Sequence, residues 1–145
     1  MKTKESWIEM VREIVHDPLI LARKSEEASA GDAPVAVDLM DTLMAHRDHC
    51  VGMAANMIGV HKRIIAVANG PFTAVLFNPK ILSKSGEYEA EEGCLSLAGV
   101  RKAKRWRSIR IQWQDAKMKE HVALLDGFQA QIVQHEIDHC DGILI

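Results

Sequence analysis

The chain opens on a helical period. Trp7, Ile8, Val11, Ile14 and Val15 fall at helical spacing and predict an amphipathic helix. It should end at Asp17-Pro18, because a proline disfavours helix in the residue before it. Residues 19–30 carry no single period, and Ser25-Glu26-Glu27 and Gly31-Asp32 predict a surface loop. Asp32 suits an N-cap, with Pro34 in the first turn of a second helix. Its stripe of Ala36, Leu39, Met40, Leu43 and Met44 faces a core, and both methionines are read as packing residues.

The period then shortens. Gly52 and the pair Ala54-Ala55 sit in a small, apolar stretch, 51–59, that allows close backbone approach. Residues 63–68 read as a buried strand and 73–77 as a second, joined across Asn69-Gly70-Pro71 into a hairpin and stopped by Asn78-Pro79. Residues 81–91 are strand-like but polar. Ile109, Ile111 and Trp113 alternate within 107–114, a half-buried strand, and 120–124 is a weaker partner across a turn at 115–119. Asp126 with Gln129 three residues on resembles a capping box, opening a last helix that Gly142 stops. Helix, helix, strands, helix gives an α+β class: antiparallel sheets packed around a central helix, in a single domain, 1–145.

Composition narrows the function classes. With 48% hydrophobic and 26% charged residues in 145, the chain is an ordinary soluble domain needing no disulfides. A formal charge of −2 provides no overall basic field for nucleic acid, and the basic run 101–107 reads as a solvated loop or edge strand. Three cysteines, Cys50, Cys94 and Cys140, with no signal-like N-terminus, fit a reducing cytoplasm. No apolar run approaches the roughly 20 residues a membrane span needs.

The chemistry concentrates in His135-Glu136-Ile137-Asp138-His139. Histidines four apart on a helix project about 40° from each other and can grip one metal ion. On a wheel of 128–140, Gln131, Gln134 and Asp138 form the polar stripe. His135 and His139 project with Phe128 and Ile132, and Glu136 lies just beyond. Three ionisable groups thus point inward, and buried charges need a partner or a metal. Two histidines do not complete a site; the six residues after His139 hold no acid or histidine beyond Asp141, and Cys140 projects about 100° away from His139. A third ligand is expected upstream, among Cys50, Cys94, His46, His49, His61 and His121. Cys94, after Gly93 at a strand end, is preferred.

Glu92-Gly93-Cys94-Leu95-Ser96 followed by His135-Glu136-Ile137-Asp138-His139 resembles the peptide deformylase family, which carries E-G-C-φ-S and H-E-φ-D-H. The likeness runs from about Pro34 to the end and is weak over 1–33. It implies Cys94, His135 and His139 as ligands of one divalent ion, natively ferrous iron, with zinc or nickel as substitutes. It implies Glu136 as general base and the Leu95 N–H as an oxyanion donor. Gly52, Val51, Gly93, Phe128 and Ile132 would hold the substrate. The implied reaction removes the N-formyl group of N-formylmethionyl peptides or nascent chains, by a monomer with no nucleic-acid or membrane contact. The family's first motif, G-φ-G-φ-A-A-x-Q, is altered. Cys50 stands for the first glycine and Met57 for the glutamine that donates to the developing oxyanion; a thioether cannot donate. Ala98 also replaces a frequent proline. The altered motif implies a reduced rate. The alternative is a non-catalytic or altered-specificity homologue that binds metal and N-acylated peptide.

Overall fold

The protein is described by a computed structural model over residues 11–145. Five strands form one antiparallel sheet in sequential order: β1 (Gly52–Ala54), β2 (Ile64–Asn69), β3 (Phe72–Gly93), β4 (Val100–Gln114) and β5 (Glu120–Asp126). The helices are a single turn, α1 (Pro18–Leu21), then α2 (Ala33–Ala45) and α3 (Gly127–Cys140).

Strand β2 explains the layering. Ile64 and Ala66 join a cluster with Leu39 and Leu43 of α2, whereas Ile65 and Val67 join one with Ile132, Val133 and Ile137 of α3. Successive side chains of a strand point to opposite faces. The sheet is therefore covered on both sides here, which is why 64–68 is continuously apolar. The expected hairpin forms, with Ile64 opposite Phe77 and Asn69 opposite Phe72.

Several expectations are corrected. Of the helix expected over residues 7–15, the part up to residue 10 lies outside the described residues. Residues 11–17 are not helical: the Arg12 N–H donates to Thr42 Oγ1 (2.9 Å) and the Val15 N–H to the Met57 carbonyl (2.8 Å). The stretch 19–30 is not wholly on the surface, since Leu21 and Ala28 are buried. Asn78-Pro79 does not stop the strand. Asn78 takes a left-handed φ of 52°, the register shifts between Phe77 and Lys80, and β3 continues. Asparagine tolerates that conformation, and at an irregularity the missing proline N–H has no ladder bond to break.

The basic run is strand. Residues 100–107 pair with β3 alone, while β5 covers β4 only from Ser108 onward, so this half of β4 is an edge. Its cations meet acids across the ladder: Lys104 with Glu87 at 3.2 Å and Lys102 with Glu89 at 3.8 Å. Neither aspartate caps as expected. Asp32 turns back to the Ser29 N–H at 2.8 Å, and Asp126 accepts from Ser108 Oγ. Gly142 does end α3, at a φ of 75°, with the Ala22 carbonyl where a Cβ would stand.

Candidate active site

Helix α3 is buried along most of its length because it packs across the sheet, contacting β1, β2, β4 and β5. The polar stripe is not evenly exposed: Gln131 and Asp138 are half-buried. Gln134 is buried: its Oε1 accepts from the Trp106 N–H (2.9 Å), and its Nε2 donates to the Trp106 and Ala130 carbonyls. A side-chain amide can satisfy a strand's backbone groups, so polarity alone misplaces it. Phe128, placed inward with the histidines, is 54% exposed at a cavity mouth.

The end of β3 and the inward face of α3 meet at Cys94, His135 and His139, whose ligand atoms all lie within 4.8 Å of one another. The two Nε2 atoms are 3.0 Å apart, and Cys94 Sγ is 3.3 Å from His139 Nε2. Of the other ligand candidates, His46 bonds the Thr42 carbonyl, His61 the Ile20 carbonyl, and His121 pairs with Asp115. His49 and Cys50 line the neighbouring cavity instead.

A supporting layer, not anticipated, fixes these groups. Glu92 Oε1 accepts from His135 Nδ1 (2.8 Å) and from Arg105 (2.7 Å); Oε2 accepts from Arg105 Nε (2.9 Å) and Gln131 (3.0 Å). Arg105 also donates to Asp138 at 2.8 Å, so one guanidinium ties the strand motif to the helix motif. Asn56 donates to the His139 carbonyl (2.9 Å) and to the Leu21 carbonyl (3.3 Å). The signal in the sequence was an acid in each motif beyond the ligands and Glu136, namely Glu92 and Asp138, with an arginine on the intervening strand.

These contacts set the charges. Burial alone would raise the Glu92 carboxyl, but hydrogen bonds from His135 and Arg105 hold it down at about 2. Burial opposes a charge on His135, yet its bonds to Cys94 and Glu92 push it up to about 10. Burial and the charge of His135 take His139 down to about 3. Two imidazole nitrogens and one sulfur converge here, a donor set for iron, zinc or nickel. Burial pushes the Glu136 carboxyl up to about 7. Its Oε1 is buried without a hydrogen-bond partner among the described residues, an acceptor held ready in the site.

A cavity of about 740 Å³ opens onto this centre, within the usual range for a small-molecule or peptide side-chain site. Val51, Gly52, Gly93, Leu95, Phe128 and Ile132 all line it, together with Cys94, His135 and Glu136. Gly52 has no room for a side chain: a Cβ would lie 2.7 Å from Ile132 Cγ2 and 3.0 Å from Glu136 Oε2. Met57 also lines the cavity, with its Sδ 3.5 Å from the Ala54 N–H and only 1% of its surface exposed. Cys50 shares the wall and donates its thiol to the Gly52 carbonyl at 2.8 Å. Burial and the charge of Glu136 push that thiol up to about 12.

The profile of the polypeptide deformylase family matches residues 11–145, beginning well before the motifs themselves. A peptide deformylase of Clostridium beijerinckii is 49% identical over 136 residues, covering 94% of this chain and all of that one. In structure, the chain resembles a class I type b peptide deformylase from Acinetobacter baumannii bound to Met-Ala-Ser. The TM-score is 0.84 at 29% identity, over 92% of this chain and 96% of that one. Peptide deformylase from Thermotoga maritima gives a TM-score of 0.83 at 26% identity, over 92% and 94%.

Proposed function

The chain belongs to the polypeptide deformylase family, and on that premise we propose how it acts as a metal-dependent hydrolase on the N-formyl group of N-formylmethionyl peptides. Cys94, His135 and His139 hold one divalent ion, ferrous iron natively, with zinc and nickel able to take its place. The observation that carries this reading is the convergence of those three donor atoms beside the buried carboxylate of Glu136, at the wall of the cavity. When bound, the ion supplies Lewis-acid polarisation of the formyl carbonyl and acidifies the attacking water.

This chain's residues do the rest. Glu136 takes the proton of the water and passes it to the leaving amine. The Leu95 N–H donates to the developing oxyanion, and Glu92 keeps His135 in the tautomer that leaves Nε2 free. Gly52 and Gly93 leave room for the peptide backbone, while Val51, Phe128 and Ile132 contact the methionine side chain. The substrate is a formylated nascent chain, met by a monomer in the cytoplasm. In support of a reducing compartment, all three cysteines are free thiols.

The test is formate release from formyl-Met-Ala-Ser by protein loaded with iron anaerobically. Turnover is expected to vanish with a chelator and return with ferrous iron. Met57 sets its size. Because a thioether cannot donate, Met57→Gln is expected to raise kcat by about tenfold or more, up to the 10²–10³ that an oxyanion donor contributes elsewhere. Metal and peptide binding with no formate from either protein would instead identify a non-catalytic relative.

A further inference from the structure

We infer that Cys50 donates the side-chain hydrogen bond to the formyl oxygen that Met57 cannot. The inference rests on the deformylase reading above. A formyl carbonyl under attack gains a full negative charge on oxygen, and one backbone N–H, that of Leu95, is a sparse counterpart for it. The neighbouring side chains narrow the choice of a second donor. Met57 has only lone pairs, and its sulfur faces the Ala54 N–H. Asn56 spends its amide on the carbonyls of Leu21 and His139, where it secures the end of α3.

Cys50 remains. It lines the same cavity as Met57, Leu95 and Glu136, and it packs on the same apolar cluster as Met57, Cys94 and Leu95. Its thiol reaches the Gly52 carbonyl at 2.8 Å, and Gly52 is the residue whose absent Cβ would lie 3.0 Å from Glu136 Oε2. The donor therefore sits two residues from the backbone that abuts the proton-accepting carboxylate, and is hydrogen-bonded to it. Turning the S–H from the Gly52 carbonyl to a substrate oxygen takes rotation about one unbranched side-chain torsion. The two departures from the first motif then belong together: one removes a donor and the other supplies a smaller one. An S–H is a weak donor, so it replaces only part of what an amide would contribute.

The test compares Cys50→Ala and Cys50→Ser in the iron-loaded protein, each with Met57 and with Met57→Gln. With Met57 present, Cys50→Ala is expected to lower kcat by about tenfold, leaving KM within about twofold, the pattern of an interaction made only in the transition state. Cys50→Ser, isosteric and a better donor, is expected to match or exceed the unaltered protein. In the Met57→Gln background Cys50→Ala should cost less than about twofold, because the pair is coupled through one oxygen. The affinity for a peptide hydroxamate, whose anionic oxygen stands in for the oxyanion, is measured by calorimetry and should fall with kcat. An unchanged kcat in Cys50→Ala, or an equal loss in both backgrounds, overturns the inference; the second outcome would make Cys50 a positioning residue for Gly52. No formate from any variant would contradict the deformylase reading instead. Hydroxamate affinity then decides on Cys50, and an unchanged Kd in Cys50→Ala overturns its role.

Discussion

Glu136→Gln lowers formate release by about 10²–10⁴, the range a positioned general base contributes, without lowering the amount of metal bound. The two effects separate because Glu136 is not one of the three converging donors, yet its carboxylate adjoins them. An amide of the same shape fills the same space against Gly52 but cannot accept the proton. Stability should move the other way. Glu136 Oε1 is buried without a partner among the described residues, and a buried, unpaired carboxylate is costly. The glutamine variant, free of metal, is expected to melt no lower than the unaltered protein. Formate release with metal analysis and calorimetry on the same samples checks all three points. A variant that keeps its rate would remove Glu136 from the mechanism.

Arg105→Met should destabilise the protein by about 3–5 kcal/mol, because it strands a buried carboxylate, Glu92, that now has a two-pronged partner. Both side chains are about as buried as the core, 4% and 5% exposed. In a chain of this size that corresponds to a fall in melting temperature on the order of 10 °C. The loss should also loosen His135, whose Nδ1 bonds the same carboxylate, and weaken metal binding by about 10–100-fold. Lys104→Met is the control: its bridge to Glu87 is well exposed and contributes under about 1 kcal/mol. The pH dependence has a definite sign. Glu92 titrates at about 2 when folded against an ordinary 4.5, so it binds its proton more readily unfolded. Its stabilisation is complete above 4.5 and drains away as pH falls towards 2. Arg105→Met should flatten that acid limb of the melting curve.

How far the sequence reveals this molecule depends on whether a residue's partners are near in the chain. The apolar run 64–68, the hairpin to 73–77 and the helix carrying His135 and His139 were all legible, because period and turn chemistry are local. Strand β3 was not: only a left-handed Asn78, bonded to Ala28 and Gln114 from elsewhere in the chain, carries it past Pro79. The basic run 101–107 becomes strand because acids on β3 lie opposite it. Gln134 reads as polar, yet it is buried because the Trp106 backbone of β4 supplies two bonds to its amide and the Ala130 carbonyl of its own helix a third. In the site, His135 and His139 could be read from spacing alone. Cys94 stood out among the third-ligand candidates by its setting. Glu92 and Arg105 could not be assigned, since their pairing exists only after the sheet folds against α3.

The most direct test of the site is X-ray absorption of the zinc-substituted protein. The arrangement of Cys94, His135 and His139 predicts one sulfur neighbour at about 2.3 Å and two imidazole nitrogens at about 2.0–2.1 Å. The sulfur shell should disappear in Cys94→Ser and persist in Cys50→Ser. A spectrum without sulfur, or a sulfur shell that survives Cys94→Ser, would contradict the assignment of the centre.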